Sequence, residues 1–245
     1  MIDRLEIFQQ AIAARKKLGE SDASPIDVFA VVQNIEHLSL VLYPMGDNIS
    51  GMCVKIGKDA IIAINSSMSV GRQNFSIAHE LYHYYYDNNQ SSTICKKAIG
   101  SGNETEQKAD QFASFFLMPL GEEVIPKDGE PISFEKVIQL EQYYRVSHQA
   151  MLYRLLNEKY IDQRQFEKYR QNVTRTAATL GFDTSLYKPS RSEKERRTYG
   201  YYIKQAQELL DNGIISDGKY DQLLLEAFRP DLVYGDEIEE EDLND

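Results

Sequence analysis

The sequence predicts an α+β fold, with helices and a small sheet in its first half and a mostly helical second half. Three observations predict it. Residues 3–18 repeat apolar side chains at helical spacing. Two strand-like runs, "GMCVKIG" and "AIIAINS", are separated by Lys58-Asp59 after Gly57, which reads as a hairpin. Two strongly helical runs then follow, the first around "FSIAHELYHYYY" and the second over "ETEQKADQFASFFLMP".

Taken in order, the first helix has Leu5, Phe8, Ile12 and Leu18 on or near one stripe, which predicts its buried face. In "SPIDVFAVVQNIEHL", Ser24 is placed as an N-cap with Pro25 at the first helical position, so a second helix is expected to start there. After the hairpin, the third helix runs from about Arg72 to Tyr86. "DNNQSSTICKKAIGSGNET" reads as a polar loop, and the helix after it stops at Pro119. "GEEVIPKDGEP", with two prolines and two glycines, reads as a loop and marks the edge of the first domain. Beyond it, "SFEKVIQLEQYYR" and "SHQAMLYRLLNEKYI" are two helices joined by a tight turn at Val146-Ser147. "DTSLYKPSRSEKERR" reads as a linker or exposed loop, and a last helical pair spans roughly 198–228. The expected division is 1–120, 121–180, 181–235 and an acidic tail at 236–245.

Composition narrows the function classes. At 245 residues, 42% hydrophobic and 27% charged, the chain has the balance of a globular protein with a sizeable core. No apolar run approaches the roughly 18 residues of a membrane span, and "MIDRLEIFQQAIAARKK" does not read as a secretory signal. Two cysteines, Cys53 and Cys95, are too few for a disulfide framework, which with the rest predicts a cytoplasmic location. A net charge of −11 argues against nucleic acid as the main partner, since DNA binding rests on neutralising phosphates. The tail adds seven carboxylates between Asp236 and Asp245, and reads as a solvated end.

The chemistry lies in "HELYH". His79 and His83 are four apart, so they share a helix face and can address one ion. Zinc takes neutral imidazole nitrogens, and three protein ligands leave a fourth position open for water. Glu80, adjacent to His79, is rotated off that stripe toward the water and can take its proton. The third ligand is not a histidine six residues after His83, because that position is Asn89. His37 and His148 lie in unrelated local contexts. A carboxylate from the next helix remains, and Glu104, Glu106 and Asp110 are the candidates.

Glu106 and Asp110 share a face with Ala109 and Ala113, small residues that let two helices approach closely. Glu104 faces Lys108 one turn on. Glu106 is therefore expected as the third ligand, with Asp110 accepting the N–H of a liganding imidazole and fixing its tautomer. Sixteen tyrosines leave the choice of an oxyanion donor open.

"RQNFSIAHELYHYYYD" followed by "ETEQKADQFASFFLMP" resembles the ImmA/IrrE family of metallopeptidases. Members carry R-x-x-F-T-x-A-H-E-x-G-H, then E-x-x-A-N-x-F-A and a Met-Pro. Arg72, Phe75, Ala78, Phe112, Met118 and Pro119 match besides the residues already named. "IDVFAVVQNI" and "RVSHQAMLYRL" extend the likeness over roughly 24–160. Ser76 stands for Thr, Asp110 for Asn, and Tyr82 for a glycine common in the motif, which bears on how closely a neighbouring segment packs there.

The resemblance implies a zincin-like catalytic domain, with zinc on His79, His83 and Glu106 and Glu80 as general base. It also implies the family's role, cleavage of a cytosolic helix-turn-helix (XRE-like) repressor that derepresses genes of mobile elements or stress responses. The rival reading is a binding or sensing module, or part of a toxin–antitoxin pair, that keeps the fold without proteolysis. "VIQLEQYYRVSHQAMLYRLL" can itself be read as a helix-turn-helix, with Arg145, His148, Arg154 and Lys159 as basic positions. Glu135, Glu141 and Glu158 dilute that charge, which favours packing or substrate positioning over contact with nucleic acid. His148, which begins a helix, is expected at the surface or in a cap.

Overall fold

The computed structural model describes residues 2–46, 48–87, 92–96, 99, 102–121, 132–190 and 195–235. The loop read in "GEEVIPKDGEP" falls almost wholly outside the described residues, as does the acidic tail. The chain is α+β. Helices α1 (Arg4–Lys17) and α2 (Val28–Val32) precede strands β1 (Leu38–Tyr43), β2 (Ile49–Ile56) and β3 (Asp59–Asn65). Helix α3 (Val70–Tyr86), strand β4 (Ser92–Lys96) and helix α4 (Glu104–Leu117) follow. Then come α5 (Phe134–Tyr144), α6 (His148–Asn157), α7 (Gln163–Tyr169) and α8 (Val173–Thr179). A short 3-10 turn (Ser185–Tyr187), β5 (Arg197–Gly200), α9 (Tyr201–Asp211), α10 (Asp217–Glu226) and α11 (Pro230–Tyr234) complete the order.

The five strands run β4-β2-β3-β1-β5. β2 and β3 form the expected hairpin, turning through Gly57 at φ +62°, a conformation glycine adopts without a Cβ penalty. β1 lies parallel to β3, while β4 and β5 pair antiparallel with β2 and β1. α3 packs on β2 and β3 with one side and on α4 with another. One core joins Ile7 of α1, Leu40 of β1, Ile62 of β3, Leu81 of α3, Phe116 of α4 and Leu152 of α6. Residues on both sides of position 120 thus share that core, and Arg197–Gly200 returns to the first-half sheet.

Several elements differ from expectation, each for a local reason. In α1, Leu5 and Phe8 are exposed, and the face against α4 is Ile7, Ala11, Ala14 and Arg15. Arg15 is fully buried because its guanidinium caps carbonyls of Ser21, Ser24 and Phe116, which pins α1 to the end of α4. α2 starts at Val28 rather than beside Ser24, because Asp27 accepts the Ala30 N–H as its N-cap. β4 lies inside the segment read as polar loop, and residues 198–200 extend the sheet before α9 begins. Both are edge strands, whose hydrogen bonds come from a neighbour rather than from their own pattern.

The α5–α6 pair turns where expected, through Arg145 in the left-handed region at φ 54°. Its basic positions are not all on the surface. Arg154 is buried with its guanidinium 4.5 Å from the Phe115 ring centre and bonded to Glu158 at 2.7 Å. His148, expected at the surface or in a cap, is the first residue of α6 and turns its ring inward, where the fully buried Glu141 needs a donor. It bonds Glu141 through Nδ1 at 2.6 Å and the Tyr169 carbonyl through Nε2 at 2.9 Å.

Candidate metal centre

α3 carries the histidine pair because its inner face is apolar over Phe75, Ile77, Ala78 and Leu81, which drives the helix against the sheet. His79 and His83 sit one turn apart on the side facing α4. Glu106 occupies the first turn of α4, where the Asn103 side chain caps its N–H at 3.0 Å. Gly102, at φ +103°, brings the chain so close that a Cβ there would sit 2.9 Å from the Cβ of Glu106.

Three donors converge. The two histidine Nε2 atoms are 3.4 Å apart. Glu106 places Oε2 3.4 Å from His79 Nε2 and Oε1 3.4 Å from His83 Nε2. A tetrahedral ion with bonds of about 2.0–2.1 Å needs donor–donor edges of about 3.3–3.4 Å. The described side chains therefore fit a zinc-sized ion.

The outer nitrogens are oriented as such a site requires. His79 donates from Nδ1 to Asp110 at 2.9 Å, and His83 donates from Nδ1 to Asp87 at 3.1 Å. Each bond leaves Nε2 pointing at the centre, the arrangement that raises ligand basicity. Asp110 thus stands where the sequence placed it. Asp87 escaped the sequence reading, although its position four residues after His83 carried the signal. Glu104 is engaged with Lys108 at 2.9 Å, outside the centre.

The electrostatics follow from burial. Burial disfavours the His79 imidazolium, yet bonds to Asp110 and Glu106 outweigh it and hold its pKa up to about 10. Burial alone would raise the Glu106 carboxyl, but the bonds from His79 and His83 drive it well below the usual range. Glu80 is fully buried, and burial pushes its carboxyl above the usual range. Neither of its oxygens has a well-aligned hydrogen-bond donor among the described residues, although the Cys95 thiol lies close enough to interact. Its space is shaped by β2, since a Cβ on Gly51 would stand 2.9 Å from Glu80 Oε1.

Residues 43–156 match the peptidase M78 family model, described as an IrrE N-terminal-like domain. The matched stretch is an ImmA/IrrE-family domain. That membership supports a metallopeptidase role, and His79, His83, Cys95 and Glu106 form a cluster that could hold a metal ion. No curated protein matches the chain.

Within the ImmA/IrrE domain, Tyr82 resolves the question raised by the missing glycine. Its ring is buried between α3 and α4, with its centre 5.7 Å from those of Phe112 and Tyr86, and fills space rather than blocking approach. A cavity of about 350 Å³ lies beside the centre, lined among others by Arg4, Phe75, Asp110, Phe115 and Arg154. It borders Asp110 but not Glu80, so it adjoins the candidate reacting groups without containing them. Among the described residues no helix is long and apolar enough to cross a membrane.

Proposed function

We propose that the protein is a zinc-dependent endopeptidase. The observation that carries this reading is the pair of histidine Nε2 atoms 3.4 Å apart, each 3.4 Å from one of the two Glu106 oxygens, with the buried Glu80 carboxyl beside them. His79, His83 and Glu106 hold the ion, and Asp110 and Asp87 fix the imidazoles. Zinc bound there supplies a Lewis acid that polarises a peptide carbonyl and brings water to nucleophilic strength near neutral pH. Glu80 takes the proton of the attacking water and returns it to the leaving amine as the C–N bond breaks. A carboxyl whose pKa is raised by burial suits both halves of that task.

The substrate we propose is a helix-turn-helix (XRE-like) repressor in the cytoplasm, on the strength of the family resemblance. The net charge of −11 and the inward turn of His148 and Arg154 favour a protein partner over DNA. The test incubates the purified chain, with zinc, against the product of a neighbouring helix-turn-helix gene. Specific cleavage by wild type, lost in Glu80→Gln with metal still bound, supports the reading. Equal cleavage by both proteins refutes the assigned base, and derepression in cells by Glu80→Gln favours the non-proteolytic alternative.

A further inference from the structure

The metal centre contains a donor that a hydrolytic site does not need. Cys95 lies on β4, fully buried, in register opposite Gly51 of β2. Gly51 is the position over which the Glu80 carboxylate sits. The Cys95 sulfur, the two histidine donors and a Glu106 oxygen all lie within 4.8 Å of one another. A tetrahedral zinc with a sulfur ligand at about 2.3 Å has sulfur–nitrogen edges of about 3.6 Å. Little more than about 1 Å of closure therefore brings the sulfur onto the ion.

We propose that Cys95 is the fourth ligand of this centre, closing it into a latent two-histidine, one-glutamate, one-cysteine site. The inference rests on the reading of the cluster as a metal centre and adds a regulatory state to it. Hydrolytic zinc sites keep one position open, whereas four protein ligands make a closed site. Binding releases the thiol proton to solvent, and the thiolate takes up the position that the nucleophile needs beside Glu80.

Burial fits the closed state. Glu80 and Cys95 are both at 0% exposure, and even Glu106 has a side chain only 17% exposed. A peptide carbonyl reaches the ion only after β4 has withdrawn its sulfur. Because β4 is an edge strand, held on one side by β2, it can leave without dismantling the sheet. Cys53, on the same strand as Gly51 but opposite Thr93, lies outside the cluster and serves as a control.

The full-length protein is loaded with cobalt in place of zinc and its absorption recorded for wild type, Cys95→Ser and Cys53→Ala. Stoichiometric cobalt with a near-ultraviolet sulfur-to-cobalt charge-transfer band, lost in Cys95→Ser and kept in Cys53→Ala, supports the proposal. X-ray absorption of the zinc form of wild type then shows one sulfur scatterer at about 2.3 Å, a measurement that needs no variant to fold. Cobalt bound without that band overturns cysteine ligation and leaves the metal centre standing. Failure of wild type to bind either metal overturns the metal centre, and the proposal with it. Repressor cleavage by Cys95→Ser slower than by wild type, with metal content unchanged, overturns latency.

Discussion

Gly51→Ala is the sharpest test of how the sheet shapes the chemistry. The new Cβ would stand 2.9 Å from Glu80 Oε1, 3.0 Å from the Ala63 carbonyl and 3.1 Å from Ile64 Cδ1. Ordinary contacts begin about half an ångström further out, so something has to move. The Ala63 carbonyl belongs to β3, which is paired with β2, and resists displacement. The end of the Glu80 side chain is the part that yields.

A displacement of about 1 Å in a catalytic group costs about 100-fold in rate, so a shift of half that predicts roughly a 10-fold loss. Overpacking adds about 1–3 kcal/mol of destabilisation. The ligands lie on α3 and α4, so zinc stoichiometry stays at the wild-type level. The assay measures cleavage rate and metal content on the same preparation, with circular dichroism as the check on folding. A Gly51→Ala protein that folds, binds zinc and cleaves at the wild-type rate refutes the claim that this glycine makes room for the base.

Four other outcomes follow from the structure. Asp87→Ala removes the acceptor for His83 Nδ1 and is expected to weaken zinc affinity about 10-fold to 100-fold, read by competition with a chromogenic chelator. Gly71→Ala sets a Cβ 2.7 Å from Ser147 N and 2.8 Å from the Val146 carbonyl carbon, against backbone that cannot swing away. At about 1–3 kcal/mol of overpacking and about 2–4 °C per kcal/mol for a chain of this size, its melting point should fall by roughly 2–12 °C. Gly218→Ala, in open space, should stay near wild type. Glu141 is buried, which raises its carboxyl pKa, while bonds from His148 and Tyr187 only partly offset the rise. A raised folded pKa gives stability that is full below the unfolded value of about 4.3 and is lost as pH rises through the folded value. Glu141→Gln should therefore gain on wild type as pH rises from about 4.3, and denaturant unfolding at pH 5 and pH 8 measures whether that difference changes.

The centre was legible where its logic is local. His79 and His83 are set by helical spacing alone, and Glu106 and Asp110 by the face they share with Ala109 and Ala113. The hairpin was legible for the same reason, since its two runs flank Gly57. What the sequence hid is whatever depends on pairing across distance. Cys95 lies in a polar stretch, and only its register against Gly51 brings the sulfur to the ligands. Arg15 reads as a solvated helix residue until the carbonyls of Ser21, Ser24 and Phe116 surround it. In α1, the alanines carry the buried face, because a helix packed tightly on α4 has no room for Leu5 and Phe8.

The two ligand-bearing helices are spaced by different side chains at different levels, and this bears on how rigid the centre is. Near Glu106 and Asp110 the contact is made by Ala109 and Ala113, both fully buried, which lets the backbones close. Toward the aromatic side, Tyr82 packs on Phe112, and Phe112 stacks on Phe116 at 5.5 Å and 18°. Arg15 then anchors the Phe116 carbonyl at the far end of α4. A shift of α4 along α3 would have to break the Tyr82–Phe112 contact and the Arg15–Phe116 bond together, so the helix that carries Glu106 is held at two levels. β4, by contrast, is an edge strand whose backbone pairs with β2 alone. The histidine and glutamate donors are thus fixed by helix packing, while the cysteine rides on an edge strand of the sheet.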